Sequence, residues 1–426
     1  MHQNHVSVTD LRAGDESKTH WLHHAALIWE NPLTAMLLAL IAYAFITVLT
    51  GPLFAHSTFA YYNYLADAFL HGQLNLRVTP PLGLDLSKYH DKYYIYWAPL
   101  PAVLLMPFVA LFGPDFSDVA FTVVIAALNV GLVALLLRRA CQREVIALSA
   151  LQRGLLVLFF AFGTVHLTLA PYGRVWFTGQ LIAFMCVALA YLATLTQRGW
   201  RAFALTGLAL AGAMLTRNHL VLAGIWPACY LIYHHWSARW RRLIGYALVG
   251  ALPIVVGLAL IGVYDLLRFG SVFENGIAYH QMDTVFASDY QKYGAFNLHY
   301  LPTNVFYQYI AYPFPISKAS YEGGSLFLLS PVFFAVFWGL AAGRPRWSAW
   351  ALFATIMVVN IPILLLMGTG WYQFGPRYTL DFTVPLLLLT AMGVRRWPVW
   401  LLALLTLISM ISYIIGTLYL GTSIAR

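Results

Sequence analysis

The stretch HSTFAYYNYLADAFLHGQLNL, residues 56–76, follows an apolar run at 33–50 and opens a polar, tyrosine-rich segment that extends to residue 117. Its pattern predicts a helix from Thr58 to His71 that ends at Gly72. The apolar run is long enough to cross a bilayer by itself. A long polar segment next to it is not needed for membrane insertion and indicates a further role. The stretch therefore predicts a membrane protein whose functional groups gather at one membrane surface.

The composition of the whole chain supports this interpretation. Of 426 residues, 61% are hydrophobic and 10% are charged, and the mean hydropathy is +0.71. Soluble domains carry charge on about a quarter of their residues, so a multi-spanning helical membrane protein is predicted. The net charge of +9 is not arranged as a basic stripe with interleaved aromatics, which excludes a nucleic-acid partner. The three cysteines form no CxxC pair, so neither a disulfide framework nor a zinc site is predicted.

Apolar runs along the chain predict an all-α integral membrane fold with about eleven transmembrane helices and external juxtamembrane helices. The predicted spans are 33–50, 118–137, 154–170, 178–196, 202–216, 219–233, 243–266, 326–342, 347–367, 379–394 and 397–418. The segment 98–113, APLPAVLLMPFVALFG, is apolar too, but it is short and holds three prolines. We expect it to lie along the membrane surface, because a crossing there would invert every later turn.

Five turns between the spans are rich in arginine, and the positive-inside rule assigns all of them to the cytoplasm. We call them the arginine-rich turns: 138–153, 197–201, 234–242, 343–346 and 395–396. This assignment predicts that the N-terminus is cytoplasmic and that two long polar segments are extracytoplasmic. We call these segments the first loop, 51–117, and the second loop, 268–325.

The predicted organisation has six parts. Histidines in the first of them could bind a metal ion, but a solvated tail fits their irregular spacing better. The parts are a cytosolic polar tail at 1–32, a first transmembrane helix at 33–50, the first loop at 51–117 with two juxtamembrane helices and catalytic groups, a six-helix block at 118–267, the second loop at 268–325 with a juxtamembrane helix, and a four-helix block at 326–426.

The first loop carries the candidate catalytic aspartates. Tyr64, Asp67 and His71 share one face of the predicted helix, and an Asp–His pair at this spacing can deprotonate an alcohol. An ordinary polar face is the alternative. Asp85 and Asp91 lie in LDLSKYHDKYYIYWAPLP, 84–101, among aromatic residues that anchor in headgroups or stack on sugars. We predict Asp67 or Asp85 as the general base, with Tyr64, His71 and Asp91 as sugar or acceptor contacts.

Four arginines near span ends on the predicted outer face are candidate phosphate ligands, because a guanidinium binds phosphate through two parallel hydrogen bonds. They are Arg174, Arg217, Arg268 and Arg377. Snorkelling of a long side chain is the alternative for any one of them. Tyr372 and Gln373 flank Arg377 as further sugar contacts, and Asp381 is spaced to pair with Arg377.

The second loop adds donors and acceptors that suit a sugar. Glu274 and His280 are the candidates in its first half. The stretch YLPTNVFYQYIAYPFPIS, 300–317, predicts another interfacial helix.

Four motifs together resemble the GT-C superfold of membrane glycosyltransferases. More narrowly, they resemble the bacterial polyprenyl-phosphate-sugar branch, akin to protein mannosyltransferases and lipid A aminoarabinose transferase. The motifs are YYNYLADAFLHG at 61–72, YYIYWAPLPAVLLMPFVALFG at 93–113, PYGRVWFTGQ at 171–180 and GWYQFGPRYTLDF at 370–382. The order of elements is similar as well, with two surface helices after the first span and an external segment after the seventh.

The resemblance implies an inverting transfer of a sugar from a polyprenyl-phosphate donor to a hydroxyl of a glycan, lipid or protein acceptor. It implies a multi-pass protein of the bacterial cytoplasmic (inner) membrane, in contact with membrane lipids and with an extracytoplasmic active site. In this family the catalytic acid usually heads the first surface helix as Asp-Glu, where this chain has Thr58 and Phe59. Some relatives use a divalent cation, but no ligand cluster stands out in the sequence.

Two other functions share these features. A transporter or flippase of a lipid-linked sugar would place charged groups at mid-span and often shows repeated halves, neither of which is evident here. A cell-envelope polysaccharide ligase would have the same arginines and outer loops.

Overall fold

The computed structural model describes residues 28–80, 83–236 and 239–424, so most of the predicted cytosolic tail at 1–32 lies outside the described residues. The α-helices in chain order are α1 (Pro32–Thr50), α2 (Tyr61–Leu70), α3 (Leu100–Phe112), α4 (Asp118–Gln142), α5 (Ala150–Phe162), α6 (Val165–Leu169), α7 (Val175–Thr196), α8 (Trp200–Met214), α9 (Ile225–His235), α10 (Trp240–Phe269), α11 (Thr284–Tyr293), α12 (Leu301–Val305), α13 (Leu326–Leu329), α14 (Ala335–Ala342), α15 (Arg346–Leu365), α16 (Thr383–Val394) and α17 (Val399–Ile424).

The described residues include seven helical segments long and apolar enough to cross a membrane: α1, α4, α5 with α6, α7, α10, α15 and α17. The other four predicted spans are helical but shorter or interrupted. Span 202–216 becomes the 15-residue α8, and 3₁₀ turns at Asn218–Gly224 and Arg377–Phe382 precede α9 and α16. Pro331 divides the span at 326–342, because proline cannot donate the backbone hydrogen bond that would continue α13. The protein is thus an all-α, multi-pass integral membrane protein.

The core of the helix bundle surrounds α16, in which every residue is buried. Helix α14 crosses α16 at very short range, and glycine makes the contact possible. A β-carbon on Gly339 would lie 2.1 Å from the carbonyl oxygen of Leu389, and one on Gly393 would lie 1.9 Å from that of Ala335. Small residues at a crossing are the usual way for membrane helices to pack, because lipid supplies no hydrophobic drive between them.

Two helices of the first loop pack against each other, α2 and α3. Helix α2 confirms the helix predicted at 58–71 with narrower bounds, and Gly72 follows it with a φ of 68°. Helix α3 has 13 residues and is therefore about 20 Å long. A bilayer core is about 30 Å thick, which favours a surface position for this helix.

A short hairpin in the first loop was not predicted. Strands β1 (Ser87–Tyr89) and β2 (Lys92–Tyr94) pair antiparallel across a two-residue turn. The turn residues His90 and Asp91 have φ values of 48° and 57°, as a type I′ turn requires. Histidine and aspartate adopt this conformation here without the glycine that usually indicates a type I′ turn, so the sequence pattern did not predict the hairpin.

The second loop contains several short helical pieces. The interfacial helix predicted at 300–317 is wrong in extent: α12 passes into a π-helical turn, Phe306–Ile310, and helical structure stops there. Pro313 and Pro315 follow closely, and the residues before a proline are disfavoured in a helix.

Four of the five arginine-rich turns meet at one end of the bundle. Residues from 141–148, 342–346 and 392–396 line one cavity, and the Arg143 side chain donates a hydrogen bond to the Leu195 carbonyl beside turn 197–201. Arg153 pairs with Glu30 just before α1. The beginning of α1 therefore lies at the same end as these turns.

Candidate active site

A pocket of about 550 Å³ lies at the end of α7 where the two loops meet. Its walls come from both loops, the N-terminus of α7, the turn after α8 and the segment before α16. Six of the residues predicted from the sequence line this pocket: Asp85, Arg174, Arg217, His280, Tyr372 and Arg377. The fold therefore gathers in one cavity a candidate base and three candidate phosphate ligands that are far apart in sequence.

The loops are joined at the pocket by backbone pairing. The Asp85 amide donates to the Gln281 carbonyl at 2.9 Å, and the Gln281 amide donates to the Leu86 carbonyl at 2.8 Å. This pairing places Nε2 of His280 3.0 Å from Oδ1 of Asp85. The Asp85 side chain is 31% exposed, whereas the His280 ring is buried and its Nδ1 has no hydrogen-bond partner among the described residues. Asp85 thus faces the pocket with one oxygen held from behind by His280.

Two tyrosines in the pocket are not suited to act as bases. Burial raises the pKa of both Tyr62 and Tyr96 well above the ordinary tyrosine value, and the negative charge of Asp85 raises that of Tyr96 further. Both hydroxyls therefore keep their protons at neutral pH and can only donate or accept hydrogen bonds.

Two arginines in the pocket have no carboxylate partner among the described residues. Arg174 lies over the Phe59 ring at 5.4 Å, and Arg377 lies over the Phe177 and Tyr378 rings at 5.6 and 4.9 Å. Burial, with a smaller effect of the Arg377 charge, lowers the pKa of Arg174 to about 10, so the group still carries its proton at neutral pH. Arg377 is buried and Arg174 is half-buried. Cations removed from water are normally paired, so the charges in this pocket favour an anionic ligand.

The surroundings of Arg377 reinforce that conclusion. Its side chain is buried, and its Nε has no hydrogen-bond partner among the described residues. Gly370 approaches it with a φ of 109°, and a β-carbon there would lie 2.7 Å from this Nε. Only glycine suits both the backbone angle and the space.

The third arginine is paired, and its partner corrects a prediction. Nε of Arg217 and Nε2 of His219 each lie 3.0 Å from Oδ2 of Asp381. The predicted pairing of Asp381 with Arg377 is wrong, because residues 377–382 form a 3₁₀ helix. With three residues per turn, positions four apart do not share a face. Gln180 links the Asp381 side chain to the backbone at Arg377, because its Nε2 donates to Oδ1 of Asp381 and to the Arg377 carbonyl.

Several predicted site residues lie outside the pocket, beginning with those on α2. Asp67 and His71 are close together, as their spacing predicts, but both contact Arg77 instead of the pocket. The distance from Arg77 Nη1 to Oδ2 of Asp67 is 2.9 Å. Tyr64 packs partly buried against the core and is likewise not among the pocket residues. Asp67 therefore lies outside the pocket that contains Arg217 and Arg377, the arginines with which it was predicted to act.

The remaining predicted residues have local roles. Arg268 is buried at the end of α10, where it pairs with Asp265 and donates to the Ile95 carbonyl. Glu274 accepts a hydrogen bond from the Gly276 amide at 2.8 Å. The Asp91 side chain is 97% exposed at the hairpin turn. Gln373 supports the segment beneath Arg377 by donating to the Glu322 and Thr369 carbonyls.

The pocket also contains residues that the sequence analysis did not select. Asp283 lines it, but one of its oxygens accepts a hydrogen bond from the Val285 amide and caps α11. Trp97 and Trp176 form part of the apolar wall, with ring centroids 6.4 Å apart. The motifs 93–113 and 171–180 contain both tryptophans, but a surface anchor and a pocket wall have the same sequence signature.

Among the described residues, no three His, Cys, Asp or Glu side chains converge closely enough to hold a metal ion. A divalent-cation requirement stays a prediction.

Comparison with known proteins identifies one similar fold. No family model and no curated protein matches the chain. Among solved structures, the chain is similar to ArnT from Cupriavidus metallidurans bound to undecaprenyl phosphate, with a TM-score of 0.51 and 14% identity. The match covers 86% of this chain and 60% of ArnT. The apo state of the same protein matches with a TM-score of 0.51 and 13% identity, over 85% of this chain and 60% of ArnT. ArnT is a GT-C glycosyltransferase, and the chain therefore has the GT-C fold.

Proposed function

We propose that the protein is a glycosyltransferase that moves a sugar from a polyprenyl-phosphate donor to an acceptor hydroxyl, with inversion at the anomeric carbon. One observation carries the proposal: a single pocket holds the Asp85–His280 pair together with buried Arg377 and half-buried Arg174, neither of which has a carboxylate partner among the described residues. The similar ArnT structure holds undecaprenyl phosphate, which supports a polyprenyl phosphate as the lipid part of the donor.

The proposed base is Asp85. Its carboxylate accepts the proton of the acceptor hydroxyl while the hydroxyl oxygen attacks the anomeric carbon of the sugar. His280 donates its Nε2 proton to the other Asp85 oxygen and fixes the direction of the carboxylate. Asp283 is less suited to this role because it caps α11, and Asp67 is less suited because Arg77 holds it outside the pocket.

Arg174 and Arg377 are proposed to hold the phosphate. When the bond from the anomeric carbon to the phosphate oxygen breaks, its electron pair stays on that oxygen, and the two guanidinium groups stabilise the charge. A phosphate leaves without protonation by a second carboxylic acid, so one carboxylate is sufficient. Arg217 shares its charge with Asp381 and is proposed to orient the phosphate more than to neutralise it.

The apolar wall of the pocket suits the sugar ring. Trp97 and Trp176 can contact the C–H face of a sugar, while the hydroxyls of Tyr96 and Tyr372 can donate or accept hydrogen bonds at its edge. We expect the sugar to lie between this wall and Asp85.

The proposed location is the bacterial inner membrane, with a cytoplasmic N-terminus and an extracytoplasmic pocket. Four of the five arginine-rich turns gather at the end of the bundle where α1 begins, and the positive-inside rule assigns that end to the cytoplasm. In a variant whose native cysteines are replaced by alanine, Asp91→Cys should react with an impermeant thiol reagent outside intact spheroplasts, and Pro345→Cys should not. Equal labelling of both positions would contradict the proposed sidedness.

The function is tested by a transfer assay with the purified protein in nanodiscs. The donors are a panel of polyprenyl phosphates carrying radiolabelled sugars, and a bacterial membrane extract supplies acceptors. We expect one donor to release its polyprenyl phosphate while the label moves to a new, non-donor product. Movement of intact donor across sealed vesicles without bond cleavage would instead indicate a flippase.

A further inference from the structure

A second cavity, of about 1370 Å³, opens at the end of the bundle where the arginine-rich turns meet. Three chain segments line it, from 141–148, 342–346 and 392–396. Its polar side is formed by Arg344, Arg346, Arg395 and Arg396, against the single carboxylate of Glu144. We call this cavity the basic basin.

The basin is built by the helix crossing described above. Because Gly339 and Gly393 let α14 and α16 touch through their backbones, the turns that follow the two helices are held side by side. One turn carries Arg344 and Arg346, and the other carries Arg395 and Arg396. Two pairs of like charges are thus brought around one cavity by the packing of the bundle.

No described carboxylate neutralises these four guanidinium groups. All four side chains are exposed, and none forms an ion pair with a described acidic residue, whereas Arg153 at the same end pairs with Glu30. The positive-inside rule explains why cations lie near the ends of spans. It does not ask that four of them surround one cavity, so their convergence points to an anionic ligand.

The basin has an apolar side as well as a basic one. The rings of Trp338 and Trp397 meet edge to face 5.9 Å apart next to the turns, and Trp338 is half-exposed. Tryptophan is typical of the membrane–water interface. Val145, Ile146 and Leu148 add an apolar lining to the cavity. A ligand here can therefore have a charged head among the arginines and apolar chains beside them.

We propose that the basic basin binds the headgroup of an anionic phospholipid that carries two phosphates. Each arginine pair serves one phosphate, since a guanidinium binds phosphate through parallel hydrogen bonds, and basic pockets between membrane helices suit such headgroups. The basin is separate from the candidate active site. The 3₁₀ helix Arg377–Phe382 and α16 carry the chain from Arg377 in the pocket to Arg395 in the basin, a rise of about 30 Å.

The test is native mass spectrometry of the purified, full-length protein with added cardiolipin, phosphatidylglycerol or phosphatidylcholine. We expect cardiolipin to be retained most strongly by the unmodified protein. The double variant Arg344→Gln/Arg346→Gln should lose about 30-fold in cardiolipin affinity, the change expected for two arginines near an anionic lipid. The variant Arg395→Lys/Arg396→Lys keeps the charge and the topology signal. It should lose less cardiolipin affinity than Arg344→Gln/Arg346→Gln.

The matched control is Arg198→Gln/Arg201→Gln, which removes two exposed arginines from a turn whose residues do not line the basin. It should change cardiolipin affinity by less than about threefold, within the effect of a screened surface charge. An equal loss in the control and basin variants would overturn the proposal, because attraction would then depend only on total charge. Equal retention of cardiolipin and phosphatidylglycerol would overturn the assignment of two phosphates.

Discussion

Asp85→Asn is expected to lower kcat for sugar transfer by roughly 10²–10⁴-fold, the range for loss of a general base. The amide cannot accept the proton of the acceptor hydroxyl, yet it keeps the size of the carboxylate and can still accept a hydrogen bond from Nε2 of His280. Binding of undecaprenyl phosphate should change little, since the arginines are untouched. The measurements are the transfer rate with the preferred donor and the affinity for undecaprenyl phosphate.

Companion variants separate this role from a structural one. Asp115→Asn alters an exposed carboxylate of the same loop outside the pocket and should leave kcat within about twofold, as surface substitutions usually do. His280→Gln should lower kcat less than Asp85→Asn and shift its pH profile, as expected of a positioning residue. If Asp67→Asn abolishes transfer and Asp85→Asn does not, the base is Asp67.

Arg377→Gln is expected to reduce kcat/KM by roughly 10²–10³-fold, the usual cost of removing one donor that stabilises a developing negative charge. The same change should weaken binding of undecaprenyl phosphate, since Arg377 is buried with its Nε unpartnered among the described residues. Arg377→Lys keeps the charge but loses the planar fork. Arg377→Lys should therefore bind undecaprenyl phosphate more tightly than Arg377→Gln does. Its kcat/KM should be restored by a smaller factor than its affinity.

Arg268→Gln provides the contrast for this prediction. Arg268 is also buried, but it is paired with Asp265 and lies outside the pocket. Its loss leaves a buried carboxylate without its partner, which should lower the Tm and leave the affinity of the folded protein for undecaprenyl phosphate unchanged. If Arg377→Gln also affected only the Tm, the phosphate role assigned to Arg377 would be refuted.

The membrane architecture could be predicted because lipid imposes simple rules on sequence. A span needs about 20 apolar residues, and arginine marks the turns on one side. The predicted turn at 395–396 agrees with the observed end of α16 at Val394, whereas the turn predicted at 138–153 is shorter in the structure because α4 continues to Gln142 and α5 begins at Ala150. The surface helix at 58–71 could be predicted for a similar reason, since Gly72 marks its end.

Several residues of the site could be identified from the sequence, but the contacts between them could not. Asp85 and His280 are 195 residues apart, and no local pattern indicates that two loops will pair their backbones. Asp381 was assigned to the wrong arginine because α-helical spacing was assumed where the chain forms a 3₁₀ helix. Asp67 has the spacing of a catalytic pair, yet Arg77, ten residues later, engages it.

The pairing of the two loops also sets a requirement on biogenesis. Asp85 is translated early, but its hydrogen-bond partner His280 comes 195 residues later, after all the helices up to α10 have been translated. A nascent chain that stops before the second loop would therefore contain Asp85, the proposed base, without the histidine that hydrogen-bonds to it. The proposed transfer activity should then appear only after the second loop has been added to the membrane-inserted chain.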